Sequence, residues 1–278
     1  VDHMVIACYS RHYWRNILKH IGFRDYFSPR HENNPDTKRA LELRYGAPLI
    51  FGNVKFLLVD CSTDSYRPKE IHEFLARSGD FQVCSVAISV NNMLAAQEET
   101  GYDFVLRDDP FGWGNQMIFL SPNKTSFWWQ FVEREDDDKK NMGLGPKGVD
   151  HIAIAVENLK ETQEVYTKLG FRTIYRPRSE IHGAHSSMKT IAMQRGGLIV
   201  ALVQGVDREM RSQVTCYVKA HGNHSAQHIA LRFAHIDQAL RELSSRQMNF
   251  RTHSHTMGYP VAEFQDIIHY GKDQKGSL

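Results

Sequence analysis

Val1-Asp2-His3-Met4-Val5-Ile6-Ala7 returns halfway along the chain as Val149-Asp150-His151-Ile152-Ala153-Ile154-Ala155. The two stretches stand 148 positions apart, and the same offset holds without a gap through the residues that follow. Ile17, Leu18 and Ile21 fall on Val165, Tyr166 and Leu169, and Gly22-Phe23-Arg24 falls on Gly170-Phe171-Arg172. One offset kept over roughly two dozen positions marks a duplicated module. Each copy opens with a short alternation rich in β-branched residues, which predicts a strand. Apolar residues at i, i+1 and i+4 then predict an amphipathic helix with one buried stripe. Gly22 or Gly170 follows the last periodic residue, where a left-handed C-terminal stop is expected.

Outward from the repeat, the first half shows strand patterns at 54–59, 84–90, 117–120 and 126–132. The second half shows them at 187–193, 198–203 and 228–233, followed by an amphipathic helix carrying Ile236, Leu240 and Leu243 on one face. Together these predict an α+β architecture, two tandem modules of paired βαβββ units forming curved mixed sheets. The expected boundaries are a first module over 1–135, a linker over 136–148 and a second module over 149–278. The linker lies in the stretch from Glu133 to Gly148, which runs acidic then basic as a solvated face and closes on Gly143-Leu144-Gly145-Pro146.

With 278 residues the chain can hold two domains, each with its own core. A hydrophobic content of 41% and a charged content of 24% are those of a soluble globular protein. The formal charge of +2 gives no electrostatic reason to expect nucleic acid or an anionic membrane as partner. No apolar run reaches the roughly 18 residues a membrane span requires, and no signal peptide opens the chain. Cys8, Cys61, Cys84 and Cys216 form no CxxC pair; the first three sit in apolar strand-like contexts. A reducing, cytoplasmic setting is therefore expected. The chain opens on Val1 and stops after Gly276-Ser277-Leu278, so both ends read as trimmed.

Among fifteen histidines, most are expected on the surface or in the core. His151 and His228 stand apart. His228 lies in Ala226-Gln227-His228-Ile229-Ala230-Leu231, a strand of the same local form as Asp150-His151-Ile152-Ala153-Ile154. Two histidines on equivalent strands of paired units would face each other across one sheet. Imidazole suits iron, zinc, copper or nickel, and two imidazoles with one carboxylate make the facial triad of non-haem Fe(II) oxygenases. The first half keeps His3 but has no histidine between His72 and His151. There Val86 is expected in the place of His228, and Gln130 where a carboxylate ligand would stand. The metal is therefore expected in the second half alone.

The motifs Val149-Asp150-His151-Ile152-Ala153, Ser212-Gln213 with Tyr217-Val218, and Gly222 through Gln227-His228-Ile229-Ala230-Leu231 resemble the 4-hydroxyphenylpyruvate dioxygenase family, a branch of the vicinal-oxygen-chelate superfamily with glyoxalase/dioxygenase-like modules. The resemblance covers both halves and is strongest from Val149 to about Phe250, and the spacing of 77 between the two histidines is close to that family's. It implies that His151 and His228 bind Fe(2+), that O2 is co-substrate, and that Gln213, Gln227 and Thr190 line the substrate pocket. For the two glutamines, ordinary strand hydrogen bonding is the alternative. The implied reaction is oxidative decarboxylation of an aromatic 2-oxo acid coupled to its own hydroxylation, with a homogentisate- or hydroxymandelate-type product. A homo-oligomer is also expected. The chain departs from the family in two places. Val203-Gln204-Gly205 stands where the family has Asn-Glu-Pro, and a valine cannot hydrogen-bond a substrate. The family's third ligand, a late glutamate, is expected beyond Leu278, with Glu263 as the one substitute after the His228 helix.

Two other functions compete. Another metalloenzyme of the superfamily, an extradiol dioxygenase or a lyase, would use the same two histidines on catechols or thiol adducts. A non-catalytic aromatic-ligand-binding protein would draw on Phe111, Trp113, Phe127, Trp128 and Trp129, which otherwise read as first-module core and interface. His253 and His255, near Tyr259 and Pro260, read as a loop rather than a metal site.

Overall fold

A computed structural model describes residues 1–27, 33–63, 68–100, 105–107, 116–119, 128–133, 145–183, 185–246, 248, 250–253 and 261–264. In the first half, β1 (His3–Ala7), α1 (Arg11–Ile21), β2 (Arg24–Asp25), α2 (Pro35–Tyr45), β3 (Ala47–Phe51), β4 (Val54–Val59) and α3 (Pro68–Ser78) are followed by β5 (Gln82–Val90), α4 (Met93–Thr100), β6 (Val105–Arg107), β7 (Gln116–Phe119) and β8 (Trp128–Glu133). The strands form one sheet in the order β2-β3-β4-β1-β5-β8-β7-β6. β1 and β4 are parallel, as are β5 and β8, while β1 and β5 run antiparallel where the halves of the sheet meet. Each half is thus one strand, one helix and a three-strand meander whose last strand returns beside the first.

The second half repeats the plan with β9 (Gly148–Val156), α5 (Leu159–Lys168), β10 (Arg172–Tyr175), β11 (Ile181–His182), β12 (Ser187–Arg195), β13 (Leu198–Val206), α6 (Gln213–His221) and β14 (Ser225–Arg232). Then come α7 (Ile236–Ser245), β15 (Phe250–His253) and β16 (Val261–Phe264). Its sheet runs β10-β12-β13-β9-β14, with β11 on β12, and β15 pairs with β16 separately. In the first module β8 lies beside β5; a strand lying beside β14 in the same way is not among the described residues.

Local chemistry starts and stops the repeated helices alike. The Ser10 hydroxyl accepts from the Tyr13 N–H at the start of α1, and Asn158, at the same repeat position, accepts from Lys160 and Glu161 at the start of α5. Gly22 and Gly170 end the two helices at φ 127° and 81°, a region that strains any residue with a Cβ. Trp14, Leu18 and Ile21 of α1 and Tyr166 of α5 turn into a core shared by both modules. Trp129 sits at that junction, with its ring 6.0 Å from both Tyr166 and Phe171. It is therefore interface core, as expected. The Cys8 and Cys84 thiols are buried, and each donates to a strand carbonyl.

The linker reading touches the described residues only at its end. Gly145 packs against Gly52, the Asn53 N–H donates to the Pro146 carbonyl, and β9 opens at Gly148. Phe111, Trp113, Phe127, His255, Tyr259 and Pro260 lie outside the described residues. No helix of the described residues is long and apolar enough to cross a membrane.

Candidate metal centre

Strand register decides which side chains share a face. On β9, His151, Ala153 and Ala155 alternate with the core residues Ile152, Ile154 and Val156. Across the ladders His151 stands beside Ile199, Ala153 beside Ala201, and Ala155 beside Val203, which in turn stands beside Thr190. Thr190, Val203 and His151 therefore occupy one face. Its floor is kept low by Ala153, Ala192 and Ala201, and α6 covers one end, with Val214 and Val218 packed on Ala155 and Val203. That helix approaches so closely that a Cβ on Gly205 would stand 2.7 Å from the Thr215 backbone nitrogen.

His228 reaches this face through a β-bulge. Ala226 pairs with Ile154 but His228 pairs with Ala153, so Gln227 is an extra residue in β14. Were Gln227 paired in the ladder instead, it would face Ala153 and His228 would fall opposite Ile152, inside the core. With it, the His228 Nε2 stands 3.3 Å from the His151 Nε2, the rings inclined at 77°. The His151 Nδ1 is 3.0 Å from a carboxylate oxygen of Asp150, which sets the proton on Nδ1 and leaves the Nε2 lone pair facing His228. His151 is about a third exposed, so the pair is open to an incoming ion.

Two imidazole nitrogens bound at about 2.1 Å to one ion, at an angle between a right angle and the tetrahedral one, stand about 3.0–3.4 Å apart. The observed separation falls in that range, and a carboxylate behind one ring is the usual support of a metal-binding histidine. The residues therefore fit a divalent transition metal. Among the described residues no third His, Cys, Asp or Glu joins the pair. Glu263 lies on β16, where only the backbone is described.

The other sequence candidates are placed less uniformly. Thr190 donates its hydroxyl proton to the Leu202 carbonyl at 3.1 Å, leaving its oxygen lone pairs on the open face. Gln227 is the bulge residue next to His228. Gln213 does not lie on a strand: it is the first residue of α6 and is exposed. The signal for that helix was present in Ser212, whose hydroxyl accepts from the Val214 N–H, and in the i, i+4 pair Val214 and Val218.

The first module answers position by position. Its strands carry the same bulge, with Val5 paired to Ser85 and Ile6 to Val83. The residue in the place of His228 is therefore Ser85, not Val86: with the same bulge in both strands, Ala226, Gln227 and His228 answer without a gap to Val83, Cys84 and Ser85, and only the pairing to β9 and β1 fixes which residues correspond. Gln130, beside Ala87 on β8, donates to the Ser85 hydroxyl at 2.7 Å. His3, Ser85 and Gln130 are fully buried, and Asp2 bonds the His3 Nδ1 at 2.8 Å, as Asp150 does His151. A serine and an amide stand where the second module would need an imidazole and a carboxylate.

Two groups near the centre are shifted by burial. The Tyr217 phenol is pushed up to about 12, and His224 is pushed down to about 4. Burial disfavours the charged form in both. A cavity of about 350 Å³, lined by Arg24, Phe51, Gly52, Glu242 and Leu243, lies at the module junction and includes neither metal-centre histidine.

Residues 150–262 match the family model described as Glyoxalase/Bleomycin resistance protein/Dioxygenase superfamily. No curated protein matches the chain. Among solved structures, a mutant 4-hydroxymandelate synthase from Streptomyces coelicolor is similar at TM-score 0.67 and 14% identity, over 91% of this chain and 76% of that one. A xylose isomerase-like TIM barrel/4-hydroxyphenylpyruvate dioxygenase fusion protein is similar at TM-score 0.57 and 16% identity, over 90% of this chain and 39% of that one. An extradiol ring-cleaving dioxygenase from B. fuscum is similar at TM-score 0.52 and 11% identity, over 95% of this chain and 70% of that one. The paired βαβββ plan, the family match and these likenesses together give the chain the fold of the glyoxalase/vicinal-oxygen-chelate superfamily.

Proposed function

We propose that this chain is the body of an Fe(II)-dependent dioxygenase that takes an aromatic 2-oxo acid and couples its oxidative decarboxylation to hydroxylation. The observation that carries the proposal is the pair of imidazole nitrogens 3.3 Å apart on one face, one of them backed by a carboxylate. Bound iron would polarise a chelating 2-oxo acid and activate O2. His151 and His228 would hold it, and a carboxylate would complete the set. By symmetry with Gln130, that carboxylate belongs on a strand beside β14.

The chain's own residues supply position and shelter. Asp150 keeps the His151 lone pair directed at the ion. Ala153, Ala192 and Ala201 leave depth for an aromatic ring, and Ile199 and Val203 line the floor with apolar surface that excludes water. Thr190 offers a hydroxyl oxygen as acceptor, and Gln227 and Gln213 offer amides at the bulge and at the start of α6. Val203 gives no hydrogen bond, so the ring end of the substrate is held by shape rather than by a polar contact there.

Anaerobic titration with Fe(II), followed by O2 uptake with 4-hydroxyphenylpyruvate and with catechol, tests the proposal. Oxygen consumption with CO2 release from the 2-oxo acid is the expected result. Uptake with catechol alone assigns the same histidines to ring cleavage, and no uptake with either overturns the oxygenase assignment.

A further inference from the structure

The bulge that brings His228 to the metal face is tied down from outside its own sheet. The Tyr217 phenol, on α6, lies 2.7 Å from the Ala226 carbonyl, immediately before the bulge, and 3.2 Å from the Gln82 side-chain oxygen in the first module. One O–H serves one acceptor well. Turning the Gln82 amide end for end leaves its heavy atoms in place; its N–H then donates to the phenol oxygen while the phenol donates to Ala226. Burial keeps the phenol protonated, and so a donor, far above neutral pH.

The same helix is fixed at its other end. The His221 Nδ1 meets the Ser78 carbonyl at the end of α3, 2.5 Å away, and its ring lies 4.2 Å from that of Tyr217. Ser225, the first residue of β14, donates to the Gly222 carbonyl at 2.8 Å. A helix anchored on the first module therefore grips the ligand strand two residues before His228.

We propose that Tyr217, with Gln82 behind it, is a positioning residue through which the metal-free first module holds the Gln227 bulge and so aims the His228 imidazole. This rests on the metal reading of His151 and His228. It also gives the first module a task in the reaction although its own Ser85 and Gln130 are unsuited to hold a metal.

Co(II) binding, followed by its visible absorption in the intact chain, tests the clamp without turnover. Tyr217→Phe should weaken Co(II) binding on the order of tenfold, the low end of what losing a ligand's support costs, and should alter the absorption band. Gln82→Ala, in the other module, should act in the same direction by roughly threefold, as one neutral hydrogen bond would. The double variant should bind no worse than Tyr217→Phe. Unchanged affinity and absorption in Tyr217→Phe overturns the clamp while leaving the metal centre standing. If Tyr217→Phe does not fold, unchanged binding by Gln82→Ala overturns it instead. A wild-type chain that binds no Co(II) overturns the metal reading, and the clamp with it.

Discussion

Inserting one alanine between Gln227 and His228 asks whether the residue count at the bulge places the metal centre. The lengthened strand has two ways to pair. If Ala226 stays against Ile154 with Gln227 as the extra residue, the new alanine falls opposite Ala153 and His228 turns to the core side, where Ile152 and Ile154 are fully buried. Burying an imidazole there without partners costs about 1–3 kcal/mol. Ile229, partly buried against the core, loses its packing at about 1 kcal/mol more. If His228 stays against Ala153, the residues before it slide by one. The Tyr217 bond to Ala226 and the Ser225 bond to Gly222 are then lost, at about 1 kcal/mol each. Either way the loss of stability is about 2–4 kcal/mol, readable as a lower midpoint in urea with unchanged slope. In the first register Co(II) affinity falls by more than about 100-fold, because even a residue that only supports a ligand is worth 10–100-fold. Gln227→Gly keeps the chain length and should retain Co(II) binding, which separates the bulge from the amide side chain. An insertion variant that binds Co(II) like the wild type, with an unchanged urea midpoint, refutes the reasoning.

Asp150→Ala should weaken Co(II) binding by about 10–100-fold with little change in the unfolding midpoint, and Asp150→Asn, which can still accept from Nδ1, should recover part of the loss; isothermal titration checks both. His224, neutral when folded and held near 4 by burial, makes stability depend on pH. Its folded value lies below the ordinary 6.5, so protons bind the unfolded chain more readily. The stability held above about 6.5 falls as the pH drops toward about 4. His224→Asn should flatten that part of a urea-midpoint profile, and asparagine tolerates the φ of 64° found there.

The duplication, most strands and both candidate histidines could be read from residue order. A repeated strand and helix must keep the same apolar spacing to bury the same faces. Three further helices carry weaker local signals. Asn34-Pro35 is a cap followed by a first-turn proline, yet α2 buries no residue and so shows no apolar stripe. Ile71, Phe74 and Leu75 of α3, and Val214 and Val218 of α6, do carry helical spacing, but the apolar residues of each span little more than one turn.

The residues alone determined that two copies of one unit exist, and that a histidine opens a strand in each and recurs late in the second. Only the tertiary structure decided which face His228 occupies and that Ser85 is its counterpart. A strand's alternation fixes the sides of its residues relative to one another, but a bulge resets the count, and its position is set by contacts from another helix and another module.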